Sequence, residues 1–422
     1  MFYLKKFSSF VFALSILLGL SSTAAANLDR QEINQLYGAL GRSSFETFTD
    51  FLEQLTGSGA GSSTTQGVAQ AYTAGDSLNA EQSTTLYRLL GVYTRLKYGP
   101  EALGTLSQLV AIDTSQVEGV EQHENPKFRL FAEVLGRIAG DFGLSFRNVD
   151  DRVYEITLEG SSEELVGFHA HADIVPVNPD LWILPDGTQL DPFELNLIGN
   201  RLYGRGAEDD KNGIVASLYA MKVIQEEGLS LARTLRLLVD TTEETSSTAI
   251  PYYFQNNPVP EYNIALDGSY PVVIAEKGYG TVMAQFPVRA SSGEGAEILS
   301  ISGGLATNQI PAASVVRIQT SQSNQLVSQL NEYGALYKAS NGDNFNIEAV
   351  AENDAVVLTV VGISAHSSEP ETGINPVSRM LDFLHNLKEE GIFQSNHITD
   401  AAQYASMNWG LDYLGNSLDI AY

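Results

Sequence analysis

The chain contains no cysteine, so it forms no disulfide and offers no thiolate to a metal ion or a substrate carbonyl. Any metal it binds must be held by histidine, aspartate or glutamate. Basic residues are also scarce, with 24 Lys and Arg against 51 Asp and Glu and a formal charge of -27. Such a surface repels nucleic acid and anionic lipid, because both require basic patches. Beyond the N-terminus no second uninterrupted apolar run reaches membrane-spanning length, so the processed chain is expected not to insert stably in a membrane. A 43% hydrophobic content is ordinary for a folded protein and excludes disorder throughout.

The first 26 residues have their own texture. Lys5 and Lys6 precede an apolar run from Phe7 to Leu20, and small residues follow to Ala26. That is the layout of a secretory signal, too short for a permanent anchor. The expectation is export to the periplasm or the exterior, with residues 1–26 removed.

The remainder divides into three stretches. Residues 27–97 read as an N-terminal helical extension of unassigned role. It has helical spacing over 27–56, a Gly/Ser/Thr-rich flexible linker over 56–67 and a second helical stretch over Ser83–Lys97. Pro100 reads as the first turn of a new helix that opens the main domain. Over 98–281 helical and strand patterns alternate, which predicts an α/β domain with a mostly parallel sheet between two helical layers. From 282 to 422, strand-like runs (TVMAQFPVRA, AEILSISGG, SVVRIQT, AVVLTVVGIS) mix with helical ones, which predicts an α+β second domain.

Open sheets of this kind gather ligands beyond the carboxyl ends of their strands. The run GFHAHADIVPV places His169, His171 and Asp173 on one face of a strand. RLYGRGAEDD ends in Asp209 and Asp210 at a helix start, TLRLLVDTTEE ends in Glu243 and Glu244, and YNIALD ends in Asp267. Taken singly, each has an ordinary reading: a satisfied core histidine, a helix cap, a solvated acidic pair. Acids converging on one crevice repel one another unless a cation neutralises them. Imidazole plus carboxylate suits zinc foremost, with manganese and cobalt as alternatives. Asp173, two residues from His171, is expected to take the second ring N–H, and one glutamate of the adjacent pair is left to act as a general base.

These segments carry a resemblance. HADIVP, GRGAEDDKNG, TTEETSS, ALDGSYP and GISAHSSEPETGINP, in this order, are similar to the motifs of the co-catalytic two-metal peptidases. That family includes carnosinase, aminoacylase, glutamate-releasing carboxypeptidase and succinyl-diaminopimelate desuccinylase. LYGRG and the EKGYG after Asp267 resemble the bacterial broad-specificity dipeptidase branch most. The resemblance implies a three-layer αβα catalytic domain over 98–281 and an inserted ferredoxin-like lid over 282–422. It implies two divalent metal ions: His171 and Asp267 on the first, Glu244 on the second, Asp209 bridging both. It further implies Glu243 as general base toward a bridging water, Asp173 orienting His171, His366 as the lid residue that stabilises the oxyanion, and Asn308 as a substrate contact.

The expected activity is hydrolysis of dipeptides. N-acyl amino acid deacetylation or carboxypeptidase action on the same metals is the alternative within enzymes, and a binding-only or inactive homologue the alternative outside them. Two departures from the family pattern stand out. Asn212 follows the lysine of DDKNG where the family has glycine, which is expected to alter the turn presenting Asp209. The second metal's last histidine has no counterpart, since His123, His385 and His397 all fall in unsuitable segments. The chain is therefore expected to stop inside the lid, before the family's C-terminal segment, and to hold its second ion weakly, with reduced or absent activity.

Overall fold

The computed structural model describes residues 28–411 apart from 185, 269–272, 275–277, 279, 305, 353–354 and 409. The expected export signal lies outside the described residues, as does most of EKGYG. The chain forms two compact units, one of residues up to Asp173 with Phe193–Asp267, the other of Ile174–Pro192 with the residues from Gly268 onward.

The first unit begins with four helices, α1 (Arg30–Leu40), α2 (Phe48–Ser58), α3 (Ser63–Ala74) and α4 (Ala80–Val110). The linker expected over 56–67 is not one. Gly59 ends α2 in the left-handed region at φ 67°, and the Ser62 side chain accepts the Thr65 N–H to begin α3. Glycine and serine here supply the two caps that a tight helix–helix connection needs. Nor does Pro100 start a helix, because α4 runs through it for 31 residues. An interior proline costs about 3 kcal/mol. Leu89, Val92 and Tyr93 before it and Leu106, Leu109 and Val110 after it enter one buried cluster. At roughly 1.5–3 kcal/mol for each fully buried large apolar side chain, packing on both flanks outweighs the break.

The elements that follow are α5 (Pro126–Asp141), β1 (Ser145–Val149), β2 (Val153–Leu158), β3 (Leu165–His171), β4 (Asn196–Ile198), β5 (Arg201–Tyr203), α6 (Lys211–Glu226), β6 (Thr234–Asp240), α7 (Ala249–Phe254) and β7 (Tyr262–Ala265). The main sheet has the order β1-β2-β6-β3-β7. β6, β3 and β7 pair in parallel, and the antiparallel β2 hairpins back to β1. Four of the five strands therefore run in one direction. Tyr154, Ile156, Leu237 and Val239 face the layer of α4, α5 and α6. Their neighbours Val153 and Leu238 face α7 through Ala249 and Tyr253. Alternation along the strand thus builds helix–sheet–helix layering. The segment RLYGRGAEDD does not join this sheet, since β4 and β5 form a separate two-stranded ribbon.

The second unit holds β8 (Glu297–Gly303), β9 (Gln309–Ile310), β10 (Ala313–Gln319), α8 (Ser323–Asn341), β11 (Asn346–Glu352), β12 (Ala355–Val361), β13 (Ala365–His366), α9 (Pro376–Glu389) and α10 (His397–Asn408). Its sheet is antiparallel throughout, in the order β11-β12-β10-β8. The run β10-α8-β11-β12-α9 follows the ferredoxin-like course, and β8 fills the edge where that fold has its last strand. Residues Val316, Ile318, Val356, Leu358 and Val360 bury against α8, α9 and α10. TVMAQFPVRA, read as a strand, forms none. Its Val282, Met283 and Val288 are exposed, and no described strand pairs with it. His397, assigned to a loop, is the first residue of α10.

Candidate metal centre

The two histidines of β3 have different fates. His169 Nε2 lies 2.7 Å from the Asn263 side-chain oxygen on β7, the ordinary satisfied histidine. His171, 2% exposed at its side chain, stands at the end of β3 with both ring nitrogens facing oxygen. Nδ1 lies 2.9 Å from the Asp173 carbonyl, and Nε2 lies 2.8 Å from Asp209 Oδ1. Asp267 Oδ2 at 3.6 Å and Glu243 Oε2 at 4.0 Å surround the same nitrogen. Burial pushes the ring toward its neutral form, but hydrogen bonds to Asp173, Asp209 and Asp267 prevail and hold its pKa well above the usual value.

The four acids arrive by three routes. Asp209 comes from the turn before α6, whose N-terminus is capped by the Asp210 side chain accepting the Gly213 N–H at 3.1 Å. A Cβ at Gly213 would lie 2.4 Å from Asp210 Oδ1, so glycine is needed there. Asn212, expected to alter this turn, is the second residue of α6. Glu243 and Glu244 follow β6 in a turn closed by Thr242, whose hydroxyl accepts the N–H groups of Thr248 and Ala249 at 3.1 and 3.0 Å. Asp267 follows β7, and the Leu266 N–H bond to the His169 carbonyl at 2.9 Å extends that pairing.

Asp173 does something the sequence did not predict. Its carboxylate, fully buried, accepts the backbone N–H groups of Glu243 at 3.2 Å and Glu244 at 2.9 Å. It is the carbonyl, rather than the carboxylate at 3.4 Å, that makes the shorter approach to His171 Nδ1. One residue therefore fixes the ring and the glutamate pair together.

The result is two overlapping ligand groups, His171 with Asp209 and Glu244, and His171 with Glu243 and Asp267, whose ligand atoms all lie within 4.8 Å of one another in each group. Burial, then the negative charge of neighbouring acids, raises Glu243 to about 7 and Glu244 to about 8. Acids crowded so closely shed their protons most readily to a cation, and an imidazole with four carboxylates is a donor set that divalent cations fit. Residues not singled out in the sequence also belong to this neighbourhood. Asp240, buried beside Asp173, rises to about 6, and Asp210 to about 7, burial being the main cause for both. Arg205 adds a positive charge acting on Asp209 and Glu244. Its place in GRG, four residues before Asp209, was the available signal.

Asn308 and His366 lie in the second unit, where the structure brings them together. β9 pairs with β13, matching Gln309 to His366, and the Asn308 carbonyl accepts the Ser367 N–H at 2.8 Å. His366 Nδ1 lies 2.7 Å from the Ser368 hydroxyl. Of the remaining histidines, His123 faces Arg152 at 3.1 Å, and His385 and His397 lie in α9 and α10 of the second unit.

The model of peptidase family M20/M25/M40 matches residues 167–407, which takes in the acid cluster, Asn308 and His366. A Bacillus subtilis relative that bears a dipeptidase name, YtjP, is 28% identical over 283 residues, 66% of this chain and 56% of its own. A similarly named protein of Staphylococcus saprophyticus, SSP1012, is 25% identical over 69% of this chain and 60% of its own. The chain thus spans 56–60% of the length of these relatives. Among solved structures, human carnosine dipeptidase 1 aligns over 76% of each chain with 16% identity and a TM-score of 0.37. With the family model covering more than half of its length, the chain belongs to peptidase family M20/M25/M40.

Proposed function

We propose that the protein hydrolyses the amide bond of dipeptides at a divalent-metal centre built on His171, Asp209, Glu243, Glu244 and Asp267. The observation that carries this reading is the meeting of one buried imidazole with four carboxylates, delivered by three different parts of the fold to within ligand distance. His171, Asp209, Glu244 and Asp267 would hold two divalent ions, zinc foremost. Such ions, when bound, supply the Lewis acidity that activates water and polarises the scissile carbonyl.

The chain's own residues do the rest. Asp173 fixes the His171 ring through its carbonyl and the Glu243–Glu244 backbone through its carboxylate, so the donors are preorganised. Glu243 accepts a proton from the attacking water at its carboxylate and returns it to the departing nitrogen, which leaves as an amine. The reading gives His366 the oxyanion contact and Asn308 a substrate contact, both carried from the family resemblance. It also takes residues 1–26 as a signal for export, which N-terminal sequencing of the secreted chain would check.

A substrate panel tests the activity. The chain, loaded with Zn²⁺ or Mn²⁺, is offered dipeptides, N-acetyl amino acids and longer peptides with free C-termini. Turnover confined to dipeptides is expected. Rapid deacetylation with inert dipeptides, or release of C-terminal residues from long peptides, would replace the proposed substrate class. No turnover of any amide, with metal bound, would reduce the protein to a binding homologue.

A further inference from the structure

Lys211 is a fully buried lysine whose Nζ donates to the carbonyls of Leu109 at 3.0 Å and Ile112 at 2.8 Å. Both acceptors lie at the C-terminal end of α4, where helix carbonyls lack intrahelical partners and the helix dipole is negative. The Lys211 backbone N–H closes the other side of the turn by donating to the Gly206 carbonyl at 3.0 Å. Asp209 sits inside the loop so formed. A buried lysine amine without a paired carboxylate is costly, and an apolar side chain would fill the same space more cheaply. What the lysine supplies is therefore sought in geometry.

The middle of α4 and the far end of α6 are joined differently. Tyr98 and Tyr93 of α4 donate to Glu226 and Glu227 at the end of α6, and Glu227 also accepts the Phe48 N–H at 2.9 Å. Sixteen residues of α6 separate the two junctions by about 24 Å. One junction stabilises the helix pair far from the acids. The other holds the turn that carries Asp209.

We infer that Lys211 is a positioning residue that fastens the Asp209 turn to the end of α4, which makes the N-terminal helices part of the metal centre's framework. This rests on reading the acid cluster as a divalent-cation site. The test is Mn²⁺ titration by calorimetry on the full chain, comparing the parent with Lys211→Met and with Tyr98→Phe as a control that loosens the far junction. Both variants should melt at lower temperature. Only Lys211→Met should lose Mn²⁺ affinity, by about tenfold or more, the usual scale for residues that orient ligands. Affinity within about threefold of the parent, or a loss matched by Tyr98→Phe, would overturn the inference and leave the cation-site reading intact. A parent chain that binds no Mn²⁺ would overturn both. Should Lys211→Met fail to fold, hydrogen exchange of the parent decides: added Mn²⁺ should slow exchange at the amides of Ala111 and Ile112, and unchanged exchange there would sink the inference.

Discussion

His171 Nε2 lies 2.8 Å from Asp209 Oδ1, joining the end of a parallel strand to the start of a helix across 38 positions of sequence. The contact is that of an imidazolium with a carboxylate, because Nδ1 is already committed to the Asp173 carbonyl. A cation entering between the two must displace the Nε2 proton. Four consequences of the arrangement can be measured.

Glu243→Gln removes the proposed proton acceptor while keeping the size and the backbone hydrogen bond to Asp173. Dipeptide turnover is expected to fall by about 10²–10⁴ in kcat. Steady-state kinetics checks it, and a variant as active as the parent would show that another group takes the proton.

Metal binding should release protons in a pH-dependent way. Burial and neighbouring charge raise Glu243 to about 7 and Glu244 to about 8, so at pH 7 about half of the first and most of the second are protonated. Carboxylates bind cations in their deprotonated form. Calorimetry in buffers of different ionisation enthalpy should therefore show proton release on Mn²⁺ binding at pH 7, with the glutamates' share gone by pH 10.

Away from the centre, Glu155 gives the first unit a carboxylate-dependent stability. Burial disfavours its charge, but hydrogen bonds from Arg147 and Tyr253 and the nearby Arg236 prevail, and its pKa lies below the usual glutamate value. A carboxyl held lower in the folded state stabilises above its unfolded pKa, and that contribution is lost as pH falls through the folded one. Stability should decline below about pH 4.5. Glu155→Gln should flatten that decline, at a cost at neutral pH of no more than about 3 kcal/mol, since Arg147 is half-exposed. Denaturant melts between pH 3 and 7 would measure both.

The N-terminal helices should prove inseparable from the sheet. Phe51 of α2 is fully buried and stacks edge-on against Phe45 at 5.2 Å, with Tyr93 of α4 beside it. Phe51→Ala is expected to cost about 3–5 kcal/mol in one cooperative transition of the first unit. A separate early transition confined to residues 28–79 would contradict a shared core.

How much of this was legible beforehand varies by residue. The alternation of strands and helices, and the acids at the ends of TLRLLVD and YNIAL, follow from short-range periodicity, and the fold keeps them. The Gly/Ser/Thr run over 56–67 misled because composition alone cannot distinguish a linker from two adjacent caps; Gly59 and Ser62 differ only in the helix each one terminates. Pro100 misled for a related reason. Its local cost was readable, whereas the burial on both flanks of α4 that outweighs it was not.

The sequence by itself determined the ligand chemistry: without cysteine, and with histidine and acids placed after apolar runs, only an imidazole–carboxylate centre was open to it. Tertiary structure alone decided which atoms meet. Asp173 turned its carboxylate to amides 70 residues away, and Lys211 reached carbonyls 102 and 99 residues away. Such choices depend on where the backbone of one element passes another, and neither periodicity nor residue type encodes that distance.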